Sequence, residues 1–419
     1  MAAPMVPVAD QTASVQSLVV SRLLRTGRTL VMPVGSVIFA FIAGAVVIAI
    51  TKGNPFLAYQ ALICGGTGLF CFGGENAAFQ ISNTIVFTTP LILTGLAVAI
   101  GFKAGLFNIG AEGQLVMGIL ASVSVGLKFA SWPGWLLLPA VLIAGALAGA
   151  AWGGIAGVLK ATTGAHEVVT TIMLNYVALW LMRYLIIGGP LQVPHGFSAS
   201  PPIPPNGQLP AFLPHTNQII FGEPSSIFSA NYGIIVALLA AVVFWFVMRR
   251  TALGYEIGAV GQSQKAARYA GVSIRRTVIV TMLISGAFAG LAGAVQIAGV
   301  PPHTITDTYF VDTTGFDAIA VALLGLGSAA GVVLAAFLFG ALHAGGSVMQ
   351  GDAQISGNLV FVLEALVLFS LAANLLKTLN IRLPGLGRKP GVAAPAESEA
   401  VEGGEELSAI AAAERETGG

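Results

Sequence analysis

Apolar stretches long enough to cross a bilayer recur along most of this chain, and they leave few folds open to it. They lie near 34–51, 83–101, 110–128, 135–159, 167–187, 231–249, 276–299, 316–326, 329–344 and 356–376. About 20 such residues in a helix span a hydrocarbon core of ~30 Å. Only 9% of the 419 residues are charged and 56% are hydrophobic, whereas a soluble domain carries roughly 25% charged residues. The reading is an all-α polytopic membrane protein of about ten transmembrane helices, with membrane lipid as its solvent. The net charge of +1 gives no basic face, so no nucleic-acid partner is expected.

Lysine and arginine set the orientation, because they concentrate in cytoplasmic loops. Arg22, Arg25 and Arg28 precede the first stretch, which puts the N-terminus inside. Alternation then places 16 of the 19 basic residues inside and leaves Lys52, Lys128 and Arg183 outside. Ten spans bring both termini into the cytoplasm. That parity favours splitting 316–344 in two at Gly325-Leu326-Gly327-Ser328 over a single kinked helix. The expected location is the plasma membrane, with 34–377 as the membrane domain. Residues 1–33 form a cytoplasmic lead, 52–82 and 188–230 outer loops, and 250–275 the largest inner loop. The 378–419 tail holds seven of the 18 acids among Ala, Gly and Ser and reads as disordered.

Polar residues at membrane depth carry the chemistry, since an ionisable group there costs ~3 kcal/mol by insertion scales. The run from Gly101 to Gln114 holds four glycines and the polar side chains Lys103, Asn108, Glu112 and Gln114. Such a run suits a broken or re-entrant element near 101–114 beside a translocation path. It suits equally a cytoplasmic turn with Glu112 at a helix start. A second stripe, Glu167, Thr170, Thr171 and Asn175, falls on one helical face, as pathway lining or as interhelical hydrogen bonding. Glu364 is the one acid placed deep within a span, and it reads as structurally paired. Asp307, Asp312 and Asp317 fall in or beside a short outer loop. His195, His215, His303 and His343 are scattered, and no second His or Cys sits at ligand spacing from His166, so no metal and no cofactor is expected. The segments 144–157 and 285–299 share a small-residue spacing, read as helix-packing style rather than an internal repeat. Cys64 and Cys71 share an outer loop with three glycines between them. An oxidising exterior allows a bridge there, and two separate thiols are the alternative.

Gly105-Leu-Phe-Asn-Ile-Gly-Ala-Glu-Gly-Gln114 resembles the hallmark of the nucleoside-type branch of ABC importer permeases, relatives of the ribose and branched-chain amino acid permeases. Pro90-Leu-Ile-Leu-Thr-Gly-Leu-Ala97 and Glu167-Val-Val-Thr-Thr-Ile-Met-Leu-Asn-Tyr176 are similar to further blocks of that family. Thr251-Ala-Leu-Gly-Tyr255, Ala259-Val-Gly261 and Ala266-Ala-Arg-Tyr-Ala-Gly-Val272 resemble its coupling region. The chain departs from the pattern at Gly258, where the family usually has Arg, and at Ser263-Gln264, where it often has Asn-Pro. The resemblance implies a permease that works with a cytoplasmic ATP-binding subunit, a second permease subunit and an extracytoplasmic substrate-binding lipoprotein. The glycine-broken polar run and the polar stripe, not the resemblance, place Asn108, Glu112, Gln114, Glu167 and Asn175 as candidates along the pathway. A short cytoplasmic helix over 254–272 would then dock on the ATPase through Gly261, Ala266, Ala267, Arg268, Tyr269 and Gly271.

Absent motifs agree with this. No G-x-x-x-x-G-K-[ST] run occurs, so the chain has no P-loop of its own. No nucleophile elbow or paired metal-ligand motif occurs, so an embedded enzyme has no visible machinery. A self-sufficient ion-coupled carrier is the alternative to the importer permease.

Overall fold

The computed structural model describes residues 33–51, 53–71, 77–194, 198–212, 219–220, 223–224, 230–307 and 313–372. The lead before Pro33, the tail over 378–419, His195, His215 and Asp312 lie outside the described residues. In chain order the first helices are α1 (Pro33–Ile50), α2 (Pro55–Thr67), α3 (Ala77–Lys103), α4 (Ala111–Lys128), α5 (Gly134–Thr163) and α6 (Glu167–Ile186). After a long connection come α7 (Gly233–Arg250), α8 (Ala252–Gln262), α9 (Gln264–Tyr269) and α10 (Ile274–Gly299). The last are α11 (Thr314–Leu324), α12 (Ala329–Asp352) and α13 (Leu359–Ala372). Seven of these, α1, α3, α5, α6, α7, α10 and α12, are long and apolar enough to cross a membrane.

The bundle is built around α3 and α10, its two most enclosed long helices. Around them, α5, α6 and α7 leave Leu147, Trp180, Leu239 and Phe246 exposed, as lipid-facing helices must. Lys103, Lys160, Arg249, Arg250, Lys265, Arg268, Arg275 and Arg276 gather at one end of the bundle, called the basic end below. Lys128 and Arg183 mark the other, far end.

Small residues bring the central helices into backbone contact. A Cβ on Gly149 would strike the carbonyl of Gly286 and the backbone of Gly290, and one on Gly290 would strike Gly145 and Gly149. The related spacings of 144–157 and 285–299 are therefore two faces of one interface, as close helix packing requires. Gly118 of α4 meets Gly290 in the same way.

Two regions differ from the sequence expectation. The outer loop over 52–82 contains α2, which Asn54 caps by accepting from the amides of Phe56 and Leu57, which has Pro55 at its first position, and which Gly68 ends at φ 72°. That is a complete set of helix boundary signals. Gly65 and Gly66 let α2 lie against Gly345 and Ala341 of α12, and Cys64 is disulfide-bonded to Cys71. Second, 316–344 is indeed two helices, turned at Leu326 and Gly327 with φ of 52° and 59°. The first, α11, has 11 residues, or ~16 Å of helix, about half a hydrocarbon core. It enters the bundle without crossing it alone.

The segment after α6 covers the far end in extended form. Ser200 pairs with Ile305, Ile203 with His303, and Leu209 with Ala298 through backbone hydrogen bonds. Its prolines bar a long helix. Ile203 is buried against Gly126 and Gly207. Burial also draws the His303 imidazole below its usual range, which suits a neutral ring with Nδ1 bonded to the Ile297 carbonyl.

Candidate translocation site

The expected break at 101–114 is a hairpin folded back into the bundle. α3 ends at Lys103, Gly105 turns at φ 70°, and the amide of Leu106 donates to Gly101. Residues 106–110 then run back alongside α3, so that Asn108 meets Ser285 of α10. Ser285 is 11 residues from the start of α10, ~16 Å along the helix at 1.5 Å per residue. α4 thus begins a little less than halfway along α10 from its basic end.

Asn108 organises this return. Its Nδ2 donates to Gln114 Oε1 at 3.0 Å and to Ser285 Oγ at 2.7 Å. Its Oδ1 accepts from the Gly110 amide and from Gln114 Nε2. Ser285 Oγ donates onward to the Ala97 carbonyl at 2.5 Å. Asn175 of α6 does the same on the other flank: Oδ1 accepts from the Gly113 amide and Nδ2 donates to the Ile109 carbonyl, both at 2.9 Å. Irregular backbone in a membrane survives only where protein satisfies it, and here side-chain amides replace the missing helical bonds. Gly110 and Gly113 are required because a Cβ on either would meet Thr171 or Asn175.

Glu112 is fully buried, and its Oε2 accepts from the Gly315 amide at 2.6 Å. A Cβ on Gly315 would strike the Glu112 backbone. The N-termini of α4 and α11 therefore meet at one carboxylate. α4 runs from there toward the far end, and α11 toward the basic end, where Gly327 lies against Lys103. Two helix N-termini offer the positive potential that makes a buried carboxylate tolerable.

The structure thus gathers Asn108, Glu112, Gln114 and Asn175, with Thr171 and Ser285, at one depth. Glu167 is apart from them, at the basic end, where its Oε2 pairs with Lys160 Nζ at 2.7 Å. None of the five lines the cavity of about 230 Å³ on the far side of Glu112. That space is bounded by Val86, Phe87 and Pro90 of α3, Gln296 and Val300 at the end of α10, Thr313, Thr314 and Asp317 around the start of α11, and His343 and Phe361.

Sequence reasoning missed the charged group at this cavity. His343 Nδ1 is 3.1 Å from Glu364 Oε1, and its Nε2 is 3.6 Å from Asp317 Oδ2. Glu364 is paired, as read, but its partner is a histidine that looked bland. The three residues stand on α11, α12 and α13, so no local spacing joins them. The only signal in the chain was the rarity of titratable residues in apolar stretches.

At the basic end, 250–275 holds two helices rather than one. Thr251 caps α8 by accepting from Gly254, and Ser263 caps α9 by accepting from Ala266. The break falls at Ser263-Gln264. Gly271, at φ 80°, ends α9 with the amide of Val272 donating to Ala267 and its own to Arg268, the left-handed stop its position predicts. Gly261 packs on the Lys103 carbonyl, so α8 touches the hairpin turn directly. Ala266, Arg268, Tyr269 and Ala270 are exposed, Tyr269 at 94%, whereas Ala267 is buried. Ala267 thus faces the bundle and does not belong to the open face.

Residues 80–371 match the family described as branched-chain amino acid transport system / permease component. The chain is 40% identical over 345 residues to the guanosine ABC transporter permease protein NupP of Bacillus subtilis, covering 82% of this chain and 93% of that one. It is 34% identical over 360 residues to the nucleoside ABC transporter permease protein NupB of Lactococcus lactis, covering 85% and 94%. It is 36% identical over 347 residues to the glucose ABC transporter permease protein TsgB13 of Haloferax volcanii, covering 81% and 86%. No solved structure matches the chain.

Proposed function

Because this chain belongs to the permease family of branched-chain amino acid transport systems, we propose that it forms the membrane path for a nucleoside in an ATP-driven importer. The observation that carries this is the cavity at membrane depth beside the junction of α4 and α11. The full-length likeness to nucleoside and guanosine permeases narrows the solute, and the glucose permease keeps a free sugar as the neighbouring choice. Energy then comes from a separate ATP-binding subunit docked on α8 and α9. A second permease subunit completes the membrane unit, and an extracytoplasmic lipoprotein delivers solute to the far end. The basic end is cytoplasmic by the distribution of lysine and arginine, with both termini on that side. The Cys64–Cys71 bond supports an oxidising far side. Asn108, Glu112, Gln114 and Asn175 act by holding the hairpin from which α4 starts, beside the path.

One observation favours an ion-coupled carrier instead, namely the Asp317, His343 and Glu364 group, since such carriers use intramembrane titratable residues. Reconstitution separates the two. Guanosine uptake into vesicles that requires ATP and the ATPase subunit supports the importer. Uptake by this chain alone, driven by a proton or sodium gradient, rejects it.

A further inference from the structure

We infer that the cavity walled by Phe87, His343, Phe361 and Asp317 is a solute station inside the membrane that holds an uncharged nucleoside and refuses its phosphorylated form. This rests on the importer reading above and adds to it the site and the charge rule.

Three rings stand at the wall. The His343 ring lies 5.7 Å from Phe87 and 5.8 Å from Phe361, centroid to centroid, the second contact edge-on, so the three rings hold one another in place. Flat rings are the surface on which a base or a sugar face packs. Polar groups flank them at the start of α11, where Thr313 and Thr314 line the same space and Thr313 Oγ1 donates to Asp317 Oδ2 at 3.1 Å. Pro90 lines the cavity in the middle of α3 and, lacking an amide hydrogen, sends no helical bond to the Val86 carbonyl. Apolar walls with a few convergent polar groups are what a small-molecule site requires. At about 230 Å³ the cavity lies just below the ~300 Å³ where drug-sized pockets begin.

The charge rule follows from the two carboxylates that flank the histidine. Both ring nitrogens face oxygen: Nδ1 faces Glu364 and the Phe339 carbonyl, and Nε2 faces Asp317. Two carboxylates flank one histidine, and even a charged ring could balance only one of them in a poorly screened interior. The Nε2 contact at 3.6 Å is beyond hydrogen-bonding distance, and the Asp317 carboxylate lines the cavity, where it can accept from a sugar hydroxyl. A phosphate would bring further negative charge to the same place and is repelled.

The chain's own chemistry provides a clean reporter. Its two cysteines are joined to each other, so a Val300→Cys variant carries a single thiol at the cavity wall. In vesicles holding the complete importer, alkylation of that thiol is timed with guanosine, with guanosine 5′-monophosphate, with glucose and with no addition, and guanosine uptake is measured alongside. Guanosine should slow alkylation severalfold, and the monophosphate should leave it unchanged. In an added Asp317→Asn background, guanosine protection should weaken and the monophosphate should begin to protect. A Phe361→Leu background, which keeps all charges, should weaken guanosine protection without admitting the monophosphate. Uptake with no protection by guanosine overturns the station and leaves the importer standing, whereas absent uptake overturns the importer reading itself. Equal protection by the monophosphate overturns the charge rule, and protection by glucose but not guanosine overturns the nucleoside assignment.

Discussion

Replacing Glu112 with alanine tests whether the two half-helices are held together by its carboxylate. The side chain is fully buried and receives the Gly315 amide at 2.6 Å. A hydrogen bond to a charged group contributes ~1.5–3 kcal/mol, and the loss leaves a buried amide unmet. The favourable position of the carboxylate in the first turn of α4 adds ~0.3–1 kcal/mol. Together they come to ~2–4 kcal/mol, and at 1.4 kcal/mol per decade the state with α11 undocked becomes ~30- to 700-fold more populated. The assay is hydrogen exchange of residues 314–318 in the purified importer, with its thermal midpoint and guanosine uptake. Exchange should accelerate at the start of α11 while the α5–α10 interface stays protected, and uptake should fall. Glu112→Gln keeps an acceptor oxygen in nearly the same place and should recover much of the loss. Unchanged exchange over 314–318 in the alanine variant would show that the contact does not hold α11 and would refute the reasoning.

Ala270→Glu, on the exposed side of α9, should lower uptake while ATP hydrolysis by the assembled importer continues, measured as the ratio of solute moved to ATP split; Ala267→Glu should lower the thermal midpoint instead, because Ala267 is buried. Gly149→Leu forces a side chain into the Gly286 and Gly290 backbone and should cost at least the ~1–3 kcal/mol of an overpacked core, seen as lost monodisperse protein in size-exclusion chromatography. Cys71→Ser opens the short ring that closes α2 and should lower stability by about 2 kcal/mol, read from the thermal midpoint, and the unaltered chain should take up alkylating reagent only after reduction.

Much of the fold was legible because its signals are local. Apolar length marked most helix ends to within a few residues, though α3 begins six residues before its expected stretch and α12 ends eight after it, and the glycine-broken run at 101–114 marked a break that suited a re-entrant element and a cytoplasmic turn alike. Asn108, Glu112, Gln114 and Asn175 were legible for the same reason: amides and carboxylates are costly in apolar surroundings. The role of each was not, because it depends on partners such as Ser285 and Gly315, which lie 177 and 203 residues from theirs. α2 was missed because its glycines read as loop, whereas Gly65 and Gly66 serve close contact with α12 and only Gly68 serves a turn. The group of Asp317, His343 and Glu364 could not be assembled from spacing, since each comes from a different helix. Ala267 was placed on the wrong face of α9 because a six-residue helix has too few turns to reveal which side is covered.

Backbones in contact along several turns cannot slide past one another, so α5 and α10 respond to force as one rigid beam. That beam is rooted where α8 and α9 meet the start of α10, and it carries Ser285, the anchor of Asn108, partway along. α10 has 26 residues, ~39 Å in length. A tilt of ~5° at its root would displace its far tip by ~3 Å over that length, while Ser285, less than halfway out, would move by less than half as much. The lever therefore amplifies motion toward Gln296 and Val300, at the cavity wall, and spares the hydrogen-bonded hairpin.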